Sequence, residues 1–152
     1  MELQTIGSKV LRRVATRVAK VDDTIRCLAF SMSKVMNEQR GVGIAAPQVG
    51  ISKRIIIIDD NGNEVVMVNP EIVWMSSEVS LSEEGCLSCP NTFGQVLRSN
   101  QVKVKFRNLK GKPCVEVYND LSARIVQHEI DHLNGILFVD HLCDTSETVH
   151  QG

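Results

Sequence analysis

The sequence lacks an excess of charge of either sign: 17 Lys and Arg face 18 Asp and Glu across 152 residues. That balance gives no electrostatic case for nucleic acid or for an anionic membrane surface. No apolar run approaches the length of a membrane span, and no apolar signal-peptide core is present. Internal repeats and low-complexity segments are absent as well. The five cysteines (27, 86, 89, 114 and 143) form an odd, scattered set. This argues for a reducing compartment in which thiols are free to bind metal. The length suits one domain, spanning 1–152, that encloses its core without disulfide help.

What is present centres on Gln127-His128-Glu129-Ile130-Asp131-His132. His128 and His132 are four apart, so on a helix they share a face and can close on one metal ion. Glu129 then sits beside a water on that metal, where it can act as a base. Asp120 is expected to cap the start of the helix, and Asn134-Gly135 to supply a left-handed stop. Leu121, Ile125, Ile130 and Leu133 give apolar positions on more than one face, as in a helix enclosed by a core. The competing reading is a pair of hydrogen-bonded histidines on an amphipathic helix.

A catalytic metal site needs three protein ligands and one open position. The extended pattern HExxHxxGxxH would place its third histidine where Phe138 stands, which excludes that family. Glu147 lies in a polar terminal stretch with nothing to hold it rigid, so the ligand must come from elsewhere. Glu84-Gly85-Cys86-Leu87-Ser88-Cys89-Pro90 offers two thiols at CxxC spacing. A structural zinc site would take Cys86, Cys89, His128 and His132, but would leave Glu129 no water to act on. A thioredoxin-like pair is disfavoured, because Cys89 precedes proline and no βαβ unit surrounds it. The third reading gives Cys86 to the metal and leaves Cys89 as a small buried residue.

Residues 3–20 carry five basic side chains and no acid, in the manner of a presequence, yet Val10, Leu11, Val14 and Val18 read as anchors to a domain. From Asp22-Asp23 to Arg40, apolar residues at 25, 28, 29, 32, 35 and 36 predict a helix with Gly41 as its stop. Gly41-Val42-Gly43-Ile44-Ala45-Ala46-Pro47-Gln48-Val49-Gly50 lets backbones approach closely but has neither dinucleotide nor phosphate-loop spacing. It reads either as a tight buried turn or as a backbone edge for an extended ligand, with Gln48 as an amide donor. Strands are predicted at 54–59, 65–68, 71–75, 77–81, 95–98, 101–107 and 114–118. The fold class is α+β: antiparallel β-strands packed around a central metal-binding α-helix.

Three segments together resemble the signature motifs of the peptide deformylases: 41–48 (GVGIAAPQ), 84–88 (EGCLS) and 127–132 (QHEIDH), in that family's order. Leu11-Arg12-Arg13-Val14-Ala15, Ala123-Arg124 and residues 133–138 extend the likeness over nearly the whole chain. Departures are Ile44 in place of leucine, Cys89 where an aliphatic residue is expected, and Ser8-Lys9 in place of a proline-containing start. After Asp140 the sequence runs only to Gly152, where many members carry a further helix.

The resemblance implies hydrolysis of the N-formyl group from the formyl-methionine of new polypeptides, releasing formate. It implies Cys86, His128 and His132 as metal ligands and Glu129 as acid–base catalyst. The Gln48 amide and the Leu87 N–H would act as oxyanion donors. The substrate backbone would pair between Val42-Gly43 and Gly85-Leu87, with methionine in a pocket near Val42, Leu121 and Ile125, bounded by His128. Thiolate with imidazole suits zinc by general affinity, whereas the resemblance implies native ferrous iron, with Ni2+, Co2+ or Zn2+ as substitutes. It further implies nascent chains as partners, transient ribosome contact, no membrane, a monomer, and the cytoplasm of a bacterium or virus-infected bacterial host rather than an organelle. Arg98 and Arg124 are expected to pair with Glu84 or Asp131. A metallopeptidase and a non-enzymatic zinc module remain the alternatives.

Overall fold

The computed structural model describes residues 1–142. Cys143 and Glu147, both weighed above, lie outside the described residues. The order of elements is a 3-10 turn Lys9–Arg12, α1 Asp23–Glu38, β1 Gly43–Ala45, a 3-10 turn Ala46–Val49, β2 Ile55–Asp60 and β3 Asn63–Met75. There follow β4 Val79–Cys86, β5 Cys89–Ser99, β6 Gln101–Arg107, β7 Pro113–Asn119, α2 Asp120–Leu133 and a last 3-10 turn Phe138–His141. Five strands form one antiparallel sheet in the order β1-β2-β3-β6-β7, and β4 with β5 forms a separate hairpin. Helix α2 packs between them, against β1, β2 and β7 on one side and β5 on the other. This is the α+β architecture that the sequence predicts.

The run Ile55-Ile56-Ile57-Ile58 shows why the sheet can carry a helix on each face. Side chains alternate along a strand. Ile56 and Ile58 accordingly join the core around α2, with Val126, Ile130 and Leu133. Ile55 and Ile57 join the core around α1, with Ile25, Met32 and Met36. All four isoleucines are fully buried. On β6 only one face is covered, so Val102, Val104 and Phe106 point inward while Lys103, Lys105 and Arg107 face solvent.

The ends of α1 show one expectation met and one corrected. Asp22 caps the start, its carboxylate accepting from the Ile25 N–H at 3.1 Å. The left-handed stop is Arg40 (φ 56°), not Gly41. Gly41 instead follows it, donating to the Met36 carbonyl at 2.8 Å. A Cβ on Gly41 would sit 2.9 Å from Leu87 Cδ1, so the two segments approach closely there.

At α2 the N-cap is Asn119, with no side-chain cap bond. Asp120 is the first residue of α2 and carries left-handed backbone (φ 51°), which corrects its expected role as cap. The far end is as predicted: Gly135 (φ 73°) donates to the His132 carbonyl and Ile136 to that of Asp131. That pair of bonds is the Schellman arrangement. Leu121 is 63% exposed rather than buried, because the first turn of α2 projects at a cleft. Leu11 and Val18 anchor the N-terminal segment, whereas Val14 faces solvent.

The predicted strands 65–68 and 71–75 are one strand, bent at an irregularity between Val68 and Glu71. The Asn69 amide holds that bend, bracketing the Val18 backbone with two bonds of 2.8 Å. The segment 84–90, expected between strands, lies within them: β4 runs to Cys86, β5 starts at Cys89, and Leu87-Ser88 is the turn. The N-terminal segment stitches this region together. Gln4 N–H meets the Gln48 carbonyl at 2.6 Å, Ile6 that of Ser88 at 2.8 Å, and Ala15 that of Leu133 at 2.8 Å.

Gly135→Ala tests the α2 stop. The left-handed conformation costs a side chain about 1–2 kcal/mol, and a Cβ would lie 2.6 Å from the Arg12 carbonyl oxygen. The variant should lose more than about 1 kcal/mol in a denaturant titration. An unchanged midpoint would reject this account of the helix end.

Candidate metal centre and its cleft

His128 and His132 stand on successive turns of α2, ring centroids 5.1 Å apart, and both are buried. Strand β4 ends at Cys86, whose Sγ lies 3.3 Å from His132 Nε2. One donor atom from each of Cys86, His128 and His132 falls within 4.8 Å of the others. Cys89 lies outside this group. It is 2% exposed and packs with Leu11, Val96, Leu137 and Phe138. The Phe138 ring, at the position where an extended zinc pattern needs histidine, stacks on His128 at 6.0 Å.

Glu84 fixes the first imidazole. Its Oε1 lies 2.9 Å from His128 Nδ1. Arg98 donates to both Glu84 oxygens, at 2.9 and 3.0 Å, and to Asp131 at 2.6 Å. Arg124 donates to Glu84 Oε2 at 2.6 Å. Both arginines thus pair as the sequence suggests. Burial opposes ionisation of Glu84, but hydrogen bonds from His128 and Arg98 outweigh it and hold the carboxyl well below the usual carboxylate range. An ionised carboxylate on Nδ1 makes that nitrogen the proton carrier and leaves the Nε2 lone pair free. Sequence reasoning missed this bond. The signal was the two-residue spacing of Glu84 and Cys86, which in a strand puts both on one face.

The other titrating groups are shifted by burial. His132 is pushed well below its ordinary value, chiefly by burial. A neutral imidazole is the form that ligates metal. Burial raises the Glu129 carboxyl to about 7. The Cys86 thiol is held up by its hydrogen bond with Cys89, by burial and by the charge of Glu129. A divalent cation would reverse that last balance, because a coordinating thiol is deprotonated outright.

The residues fit a metal ion. Glu129 Oε1 and His132 Nδ1 are buried without a hydrogen-bond partner among the described residues. A thiol and two imidazoles converge beside them, a donor set that suits a divalent transition metal. Gln48 is clamped alongside: its Oε1 accepts from the Ala45 N–H at 2.8 Å, and its Nε2 donates to Ser88 Oγ at 3.2 Å and toward Cys86 Sγ at 3.5 Å.

A cavity of about 380 Å³ opens onto the cluster. Val42, Gly43, Gly85, Leu87, Leu121 and Ile125, all named from sequence, line it together with Gln48, Cys86, His128 and Glu129. Arg40, Glu83 and Phe93 also line it and were not anticipated. Phe93 is the cross-strand partner of Gly85 and covers it: a Cβ there would lie 2.7 Å from the ring. Gly43 is equally constrained, since a Cβ would meet Glu129 Oε2 at 2.5 Å.

Architecture and cluster together define a class: an HExxH helix enclosed by antiparallel strands, faced by a thiol instead of a third imidazole, with a cleft at its side. Comparison with known proteins gives the family. Residues 1–148 match the polypeptide deformylase family model. A peptide deformylase of Synechocystis sp. is 45% identical over 147 residues, covering 93% of this chain and 79% of its own. A crystal structure of a class I type b peptide deformylase from Acinetobacter baumannii is 49% identical with a TM-score of 0.89, covering 91% of this chain and 97% of that one. A Synechococcus elongatus peptide deformylase in complex with actinonin superposes with a TM-score of 0.92 at 40% identity, over 98% of this chain and 82% of that one. The chain belongs to the peptide deformylase family, metal-dependent hydrolases that remove the N-formyl group from nascent peptides.

Glu84→Gln tests the outer shell of the site. Losing a carboxylate behind a ligating histidine typically costs about 10–100-fold in metal affinity, and the same loss is expected here by competition with a chelator. The stability difference from the parent should be full above pH 4.5, the ordinary glutamate value, and shrink as pH falls through the depressed one. Undiminished metal retention would show that Glu84 does not orient His128.

Proposed function

We propose that Cys86, His128 and His132 hold one divalent metal ion and that Glu129 is the general acid–base residue of the deformylation. The observation that carries this reading is the convergence of the three donors beside an unpartnered, buried Glu129 carboxylate at the wall of the cavity. When bound, the ion supplies Lewis acidity and lowers the pKa of water toward about 7. Glu129 takes the proton from the attacking water and returns it to the departing amine. A carboxyl raised to about 7 is suited to both transfers near neutral pH.

The Gln48 amide and the Leu87 backbone N–H stabilise the carbonyl oxygen as it gains charge. Gln48 is kept ready for this by its bond from Ala45, which fixes which end of the amide faces the cluster. The substrate backbone lies extended between Val42-Gly43 and Gly85-Leu87. Strand β1 stands at the edge of its sheet, so main-chain pairing can continue onto it. That mode reads few side chains, as a common N-terminus requires. Val42, Leu121 and Ile125 form the apolar wall for methionine, which explains why Leu121 is exposed at the start of α2.

Ferrous iron is the ion we assign in the cell, with nickel, cobalt or zinc able to replace it. No helix among the described residues is long and apolar enough to cross a membrane, and the relatives named above are bacterial. We place the enzyme in a bacterial cytoplasm, acting as a monomer on chains leaving the ribosome.

Glu129→Ala should retain its metal and release formate from a formyl-methionyl peptide at least about 10²-fold more slowly. Normal turnover by that variant would reject the assigned base. Cys86→Ala should lose metal while Cys89→Ala keeps it; equal loss from both would favour a four-ligand structural zinc site.

A further inference from the structure

Cys86 and Cys89 are register partners that close the hairpin β4–β5 across the two-residue turn Leu87-Ser88. The four residues of such a turn bring its ends within about 7 Å at Cα, and a disulfide spans Cα separations of about 4.4–6.8 Å. Directly opposed residues point to the same face of a hairpin. Here both do: Cys89 belongs to the buried cluster of Leu11, Val96, Leu137 and Phe138, and Cys86 packs against that cluster. Their environments differ in one decisive respect. Cys86 lines the cavity, whereas Cys89 is shut away behind it. The other described cysteines are elsewhere: Cys27 is exposed on α1, and Cys114 packs on the core around α2. Beyond Cys89 the strand carries its irregularity, with Asn91 left-handed (φ 60°) and residues 90–93 exposed. That gives the hairpin tip backbone to adjust.

We propose that Cys86 and Cys89 form a reversible redox pair, in which a hydroperoxide entering the cavity converts them to an intramolecular disulfide. Cys86 Sγ attacks the peroxide, the O–O bond breaks, and one molecule of water (or alcohol) leaves, giving a sulfenic acid. Cys89 Sγ then forms the S–S bond as the S–O bond breaks and water leaves with the thiol proton. The two thiols lose two electrons and two protons in total, and the peroxide is reduced by the same two electrons. A dithiol reductant reverses the process. Without a resolving thiol, a cysteine oxidised to the sulfenic state continues to sulfinic and sulfonic acids, which such reductants do not reverse. Cys89 thus shields the cavity thiol from permanent loss. The consequence for the metal rests on Cys86 being a ligand; the pairing of the two cysteines across the turn does not.

The test treats the metal-loaded full-length protein with hydrogen peroxide in several-fold excess, then maps cysteines by mass spectrometry without reduction, with released metal read by a chelating dye. The expected result is a peptide carrying a Cys86–Cys89 link, lighter by two hydrogens, with metal released in proportion and both reversed by dithiothreitol. In Cys89→Ala, Cys86 should instead accumulate as sulfinic and sulfonic acid that dithiothreitol leaves untouched. Parent protein in which Cys86 is over-oxidised while Cys89 stays a free thiol would overturn the proposal. A link that forms with the metal still held would uphold the redox pair and overturn Cys86 as ligand.

Discussion

The site depends on one buried carboxylate. Glu84, on β4, accepts from His128 on α2, from Arg98 on β5 and from Arg124 on α2, and so ties the hairpin to the histidine helix. Its side chain is 5% exposed and that of Arg98 6%. Removing one member of such a pair typically costs about 3–5 kcal/mol, whereas replacing the whole set with apolar groups can be neutral or stabilising. Stability therefore does not account for a buried network here. What an apolar replacement cannot do is hold His128 in one tautomer and bring a thiol from the same strand to meet it.

The rest of the fold serves that docking. The isoleucine strand β2 supports α2 from one face and α1 from the other. The N-terminal segment joins the end of α2, the Gln48 turn and the hairpin tip through backbone bonds. Gly43 lets the β1 backbone lie against Glu129, which places the proposed base at the cleft while burying it. Burial in turn raises the carboxyl's pKa, so close packing and acid–base chemistry share a cause.

The candidate metal cluster was largely legible because its residues are local or chemically rare. His128, Glu129 and His132 follow from helical spacing, and Cys86 follows from asking which thiol could complete the set. The resemblance to the deformylases added Gln48, Leu87 and the cleft residues, and the structure gathers them around one cavity. What was hidden depended on tertiary context. Residues 84–90 look like a loop because Glu, Gly and Pro are poor strand formers, yet pairing with a partner strand overrides that preference. Arg40 and Asp120 adopt left-handed backbone that their side chains do not signal. Leu121 reads as core from periodicity alone; its exposure makes sense only once the cleft is known.

The central claim is that one thiolate from the hairpin meets two imidazoles from α2, and that the second thiol of the CxxC pair stays out. X-ray absorption at the metal edge of the anaerobically loaded protein counts these ligands directly. The account predicts one sulfur and two imidazole nitrogens from the protein, with the remaining scatterers light. Two sulfurs, or none, would contradict it.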